Sequence, residues 1–145
     1  MTNNKTNDRV NPIAVVVAGV AYWLVQAGWY TVLAAQWIAG TGRSVADLQA
    51  GNTAVRYVVA LICDVIVAYG VSWVTGLTGE RTLGNGLKCG AIAWVVFIAT
   101  QLATNYAFEN RSVGFFSINA GAALLGMLVI GAIVGAWRGR PALNT

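Results

Sequence analysis

The sequence predicts an all-α polytopic membrane protein with four transmembrane helices in an antiparallel bundle, and three observations carry that fold class. Charge is sparse: 57% of the 145 residues are hydrophobic and 10% charged, against about 25% charged in a soluble domain, and the mean hydropathy is +0.64. The apolar residues fall in four long runs, at about 13–38, 56–77, 87–108 and 114–137, each long enough at about 1.5 Å per residue to cross a hydrocarbon core about 30 Å thick. The 17 glycines and 6 tryptophans suit close helix approach and anchoring at the headgroup level.

Composition also excludes chemistry. The chain has no histidine, which removes histidine catalysis, histidine haem ligation and the usual zinc sites, so no metal, no cofactor and no catalytic residue is expected. Cys63 and Cys89 fall on different runs, and a disulfide needs Cα atoms within about 7 Å, so both read as free thiols. The net charge of +4 is spread over loops and tails. That suits the anionic lipid of a bilayer and not a nucleic acid, for which a basic patch with interleaved aromatics is missing.

Residues 1–10 are polar and aperiodic and read as a flexible tail, with the transmembrane domain following over 11–140 and a short tail over 141–145. Asn11 and Pro12 form an N-cap with proline at the first helical position. The first run is 26 residues long, about 39 Å as one helix, which implies tilt or an emergent end. A cleaved signal peptide is the rival reading, with Val25-Gln26-Ala27 as the cleavage site, but the apolar run outlasts a signal peptide's core. Ser44 and Asp47 have the spacing of a capping box for a short interfacial helix ending at Gly51. Gly40-Thr41-Gly42 reads as a turn, since no strand precedes it to make a nucleotide loop.

The second run is interrupted by one ionisable residue, Asp64, and leads into a turn-rich loop over 76–86. The third run carries Gln101, Thr104 and Asn105 on one helical face. A tight hairpin at 109–113 then returns the chain, setting Asn105 and Asn119 at similar depth. The fourth run carries Gly126, Gly131 and Gly135, and the Gly131/Gly135 pair at GxxxG spacing predicts close helix packing within the chain or between chains. Arg138, Arg140 and Pro141 are expected to end it.

Two stretches resemble a known family. Gly28-Trp29-Tyr30-Thr31 followed by Leu33 and Trp37 is similar to the Trp-Tyr opening of the bacterial membrane proteins called domain of unknown function 1761. Across the hairpin, Thr104-Asn105-Tyr106, Phe108-Glu109 and Arg111, then Ile118-Asn119-Ala120-Gly121 and Gly131-Ala132, resemble its second signature. The resemblance covers most of the chain after the first ten residues and implies a four-span membrane fold with no established activity.

Asp64 is the most informative single residue, since a carboxylate about 12 Å below Arg56 costs about 2.5–3.5 kcal/mol to insert and needs a partner or a cavity. It is either a proton- or cation-binding group or a structural hydrogen-bonding group. Gln26 with Trp29 and Tyr30 at mid-span reads either as part of an aromatic-walled pocket or as bundle core. Gln101, Asn105 and Asn119 complete the candidate ligand or ion pocket, while Glu109 and Arg111 form a surface gate or hairpin staple. Three functions compete: binding or transport of a small molecule or ion, a structural role in a homo-oligomer or a complex with a membrane-protein partner, and, least supported by so thin a set of catalytic groups, an enzyme. Six basic residues (Lys5, Arg9, Arg81, Lys88, Arg138, Arg140) against three (Arg43, Arg56, Arg111) predict both termini on the cytoplasmic side of a bacterial inner membrane.

Overall fold

The computed structural model describes residues 10–79 and 81–137. The tails expected at 1–10 and 141–145, Val10 excepted, and the helix-ending Arg138, Arg140 and Pro141 lie outside the described residues. The elements are α1 (Pro12–Val32), α2 (Ala34–Thr41), α3 (Val45–Ala50), α4 (Ala54–Leu77), α5 (Leu83–Ala93), a π-helical turn (Trp94–Ala99), α6 (Thr100–Phe108) and α7 (Val113–Ala136). Four spans are long and apolar enough to cross a membrane: α1, α4, α7 and the continuous helix Leu83–Phe108. Joined by α2 and α3 between the first two spans and by short turns after that, they form an antiparallel four-helix bundle.

The first span is shorter than its apolar run. Asn11 caps α1, its side chain accepting from the backbone N–H groups of Ile13 at 2.9 Å and Ala14 at 3.2 Å. The helix ends at Val32, where Leu33 leaves helical geometry before α2 restarts at Ala34. Thr31 Oγ1 donates to the Ala27 carbonyl at 2.7 Å, a back-bond that bends helices. The Leu33 N–H still donates to the Trp29 carbonyl at 3.0 Å, so the chain kinks without unravelling. Twenty-one residues make a helix of about 31 Å, matching a hydrocarbon core of about 30 Å with no need of tilt.

The third span starts earlier than its apolar run. Thr82 accepts from the Asn85 N–H at 3.2 Å and caps α5, so Gly84, Asn85 and Gly86 form helix where turn residues suggest a loop. Packing supplies the reason. A Cβ at Gly86 would collide with the Gly131 carbonyl oxygen and come within 2.9 Å of Gly135 Cα, and one at Gly90 would collide with the Met127 carbonyl oxygen. Glycines on both helices thus bring α5 and α7 into backbone contact, and the Gly131/Gly135 face is spent inside the chain.

Helix α7 is the central element. It packs against α1, α4 and the third span, while α1 and α5 stand at opposite corners with α4 between them. Of its most apolar window 44% is buried, against 17% in Leu83–Phe108. The core joins Val15, Ala18 and Tyr22 of α1 to Ala68 and Val71 of α4 and to Met127, Ile130 and Val134 of α7. Tyr22 occupies the space left by the missing side chain of Gly126. Ser112 caps α7 by accepting from the Phe115 N–H at 3.2 Å, and Asn110, at φ 54°, turns the hairpin before it.

Candidate functional site

Helices α1 and α4 run antiparallel, and helical side chains lean toward their own N-termini, so side chains on the two helices lean toward each other. Gln26 and Asp64 meet in this way: Gln26 Nε2 donates to Asp64 Oδ1 at 3.0 Å. Asp64 is 5% exposed, and its Oδ2 is buried with no hydrogen-bond partner among the described residues. A buried carboxylate oxygen without a partner is costly, and a proton, a water or a cation at Oδ2 removes the cost.

Above that pair lies an open cavity of about 760 Å³ bounded by α1, α2, α3 and α4. Trp23, Gln26 and Tyr30 line it from α1, Trp37 and Ile38 from α2, and Tyr57 and Ala60 from α4. The short helix α3 roofs it with Val45 and Leu48, and Gln49, Asn52 and Arg56 form a polar end where α3 turns into α4. Capping sets that roof, since Ser44 accepts from the Asp47 N–H at 3.2 Å and Gly51 closes the helix. Aromatic contacts hold the walls: Trp23 meets Tyr57 edge-on at 6.4 Å and donates its indole N–H to the Tyr57 carbonyl at 3.2 Å. Tyr30 meets Trp37 edge-on at 5.8 Å. Gln26 both lines the cavity and bonds Asp64, so the carboxyl sits one side chain behind the cavity wall.

The residues singled out in the sequence gather as three separate hydrogen-bonded pairs. Gln26–Asp64 is the first. Tyr30–Asn119 is the second, with the tyrosine hydroxyl donating to Asn119 Oδ1 at 2.9 Å and Asn119 Nδ2 donating to the Phe115 carbonyl at 2.8 Å. Gln101–Asn105 is the third, at 3.2 Å on an exposed face, and neither member bonds to Gln26 or Asp64. Trp29 commits its indole N–H to the Ile118 carbonyl at 2.9 Å, its ring lying against Gly121. The π turn explains the third pair. Trp94 points inward, donating to the Ala120 carbonyl at 2.9 Å, and Gln101, one heptad on, would share its face in a regular helix. The wide turn Trp94–Ala99 holds one residue more than an α turn, rotating everything beyond it by about 100°. Gln101 and Asn105 therefore face outward while Tyr106 stacks on Phe115 at 5.3 Å.

Glu109 and Arg111 form an ion pair at 3.0 Å. Arg111 Nη1 also donates to the carbonyls of Gly40 at 3.1 Å and Thr41 at 3.0 Å, and its guanidinium lies 5.5 Å from the centre of the Phe115 ring. The hairpin is thereby tied to the C-terminal end of α2, where a cation complements the helix dipole. Cys63 is exposed, Cys89 is buried, and both are free thiols. Among the described residues no three His, Cys, Asp or Glu side chains cluster as a metal site.

Sequence reasoning did not assemble Trp37, Tyr57, Gln49 and Asn52 into one cavity. Trp37 reads as a membrane-interface anchor in sequence, and the α3 capping signal carries no information on where that helix folds back.

These features define a four-span α-helical integral membrane protein with a partly polar cavity under a folded-back connection. The family model described as "Protein of unknown function (DUF1761)" matches residues 13–135, and the chain belongs to that family. No curated protein and no solved structure matches it.

Proposed function

We propose that this protein binds or transports a small molecule, which occupies the cavity between α1 and α4, with the Gln26–Asp64 pair at its inner end. The observation that carries the reading is the cavity itself. Its volume of about 760 Å³ falls in the range of ligand sites, about 300–1,000 Å³, and it pairs apolar walls with a few convergent polar groups as such sites do. Asp64, with one oxygen bonded through Gln26 and the other unpaired, supplies a place for a proton or cation coupled to the ligand through a single side chain. The test is a thermal-stability screen of the purified full chain against small molecules. A compound that stabilises the parent and loses its effect in Ala60→Phe, which fills the cavity, supports the reading. If every stabilising compound acts equally on the variant, the cavity is not the site.

A second reading, a homo-oligomeric scaffold or assembly subunit, is favoured by the third span. It is the least buried of the four and presents the Gln101–Asn105 pair outward, where side-chain amides can hydrogen-bond across helices. Loss of a cross-linked oligomer in Asn105→Leu supports it, and an unchanged monomer in both proteins removes it. For orientation we infer a bacterial inner membrane with both termini cytoplasmic, from the excess of basic residues on that side. A reporter fused at Asn144 that is active only in the periplasm overturns this.

A further inference from the structure

We propose that the cavity takes a single-chain amphiphile with an oxyanion head, the head held by Arg56 and the chain running down between the aromatic walls. The proposal rests on the reading of the cavity as a ligand site and names its ligand class.

Charge complementarity is the first argument. Arg56 is the only cationic side chain among the cavity-lining residues, and no carboxylate lines the cavity. Among the described residues the Arg56 guanidinium makes no ion pair and no side-chain hydrogen bond, whereas Arg111 is paired with Glu109. The guanidinium of this exposed residue packs against Gly51, where a Cβ would come within 2.7 Å of its Nη1 and 2.8 Å of its Nη2. A planar fork of donors lacking an acceptor among the described residues fits a carboxylate or phosphate, which it binds through two parallel hydrogen bonds. The side-chain amides of Gln49 and Asn52 at the same end add neutral donors.

The second argument is depth in the membrane. Arg56 is in the first turn of α4, which begins at Ala54, at the end of a membrane span. Ala60, four residues on, is about 6 Å deeper, and Trp23, Tyr57 and Leu48 line the walls. An amphiphile placed with its head at Arg56 and its chain toward Gln26 has the orientation it holds in a bilayer leaflet. Entry from the membrane then requires no inversion and no exposure of the chain to water.

The experiment uses the full chain in uncharged detergent and follows tryptophan emission, because Trp23 and Trp37 both line the cavity and bromine atoms quench indoles on contact. The probes are a brominated long-chain fatty acid, its methyl ester, a long-chain alkyl phosphate as competitor, and inorganic phosphate. The acid should quench saturably, the alkyl phosphate should displace it, and inorganic phosphate should not. Arg56→Gln should weaken binding of the acid at least tenfold and leave the ester unchanged, with Arg56→Lys in between. Ala60→Phe, or Ala27→Phe at an exposed lining position if the first misfolds, should weaken acid and ester alike. Equal affinity of Arg56→Gln and parent for the acid overturns the oxyanion head while the cavity reading survives. Displacement by inorganic phosphate as effective as that by the alkyl phosphate makes this a simple anion site and overturns the amphiphile. If neither cavity-filling variant changes quenching, the cavity reading fails as well.

Discussion

Replacing Gly131 by alanine puts one methyl group where two helices touch through their backbones. An ideal Cβ there collides with the Gly86 carbonyl oxygen and lies 2.7 Å from the Gly86 carbonyl carbon and 3.2 Å from Leu87 Cα. All three are backbone atoms of α5, so no rotamer change relieves the clash and the helices must separate. Overpacking of this kind costs about 1–3 kcal/mol, against which alanine recovers about 1 kcal/mol of helix propensity over glycine. Gly70→Ala is the matched control, since it is also within a long helix and a Cβ there meets nothing within 4 Å. The propensity gain is common to both variants, so their difference isolates the overpacking: Gly131→Ala should be less stable than Gly70→Ala by about 1–3 kcal/mol. Gly131→Leu and Gly135→Leu should be worse still. Reversible unfolding in mixed micelles by denaturing detergent measures the difference. Gly86→Ala combined with Gly131→Ala should cost less than the sum of the two, because one separation accommodates both methyl groups. If Gly131→Ala unfolds at the same denaturant level as Gly70→Ala, the α5–α7 crossing is not the tight contact described, and the reasoning fails.

Three further outcomes are expected. Asp64→Asn keeps an acceptor for Gln26 and should fold like the parent while abolishing any pH dependence of ligand response. Asp64→Leu leaves Gln26 Nε2 unpaired and should lose about 1–3 kcal/mol; thermal unfolding with and without ligand across the near-neutral range reads both, and a pH response retained in Asp64→Asn assigns Asp64 a structural role. Arg111→Gln removes two bonds to the end of α2 as well as the ion pair, and should increase protease cleavage within 40–52, whereas Glu109→Gln, which removes only an exposed pair, should cost less than about 1 kcal/mol; equal effects would mean that the ion pair, not the tie to α2, is what matters. Trp29→Phe deletes the indole bond to the Ile118 carbonyl while keeping an aromatic ring, and should cost about 1 kcal/mol in the same unfolding assay; no change would place that bond outside the stabilising set.

The sequence by itself determined the fold class, the number of spans and their antiparallel order, because insertion into a bilayer depends on apolar length and consecutive spans must cross in opposite directions. It also determined the caps at Asn11 and Ser44, where a side chain satisfies the backbone of its own next turn and no distant residue takes part. The pairing of Asp64 with Gln26 is half legible: the insertion cost announces that a partner exists, while two helices leaning together decide which. Only the tertiary structure decided that Gln101 and Asn105 turn outward, because a π turn at Trp94–Ala99 shifts the register of everything after it and a regular 3.6-residue period cannot anticipate the shift. Only the tertiary structure made helix of Gly84, Asn85 and Gly86, residues whose local preference is for turns, because the close approach of α7 rewards the absence of side chains. The cavity belongs wholly to that level. Its walls come from four helices, and its roof depends on a kink at Leu33 and a fold-back of α3 that no single stretch of sequence contains.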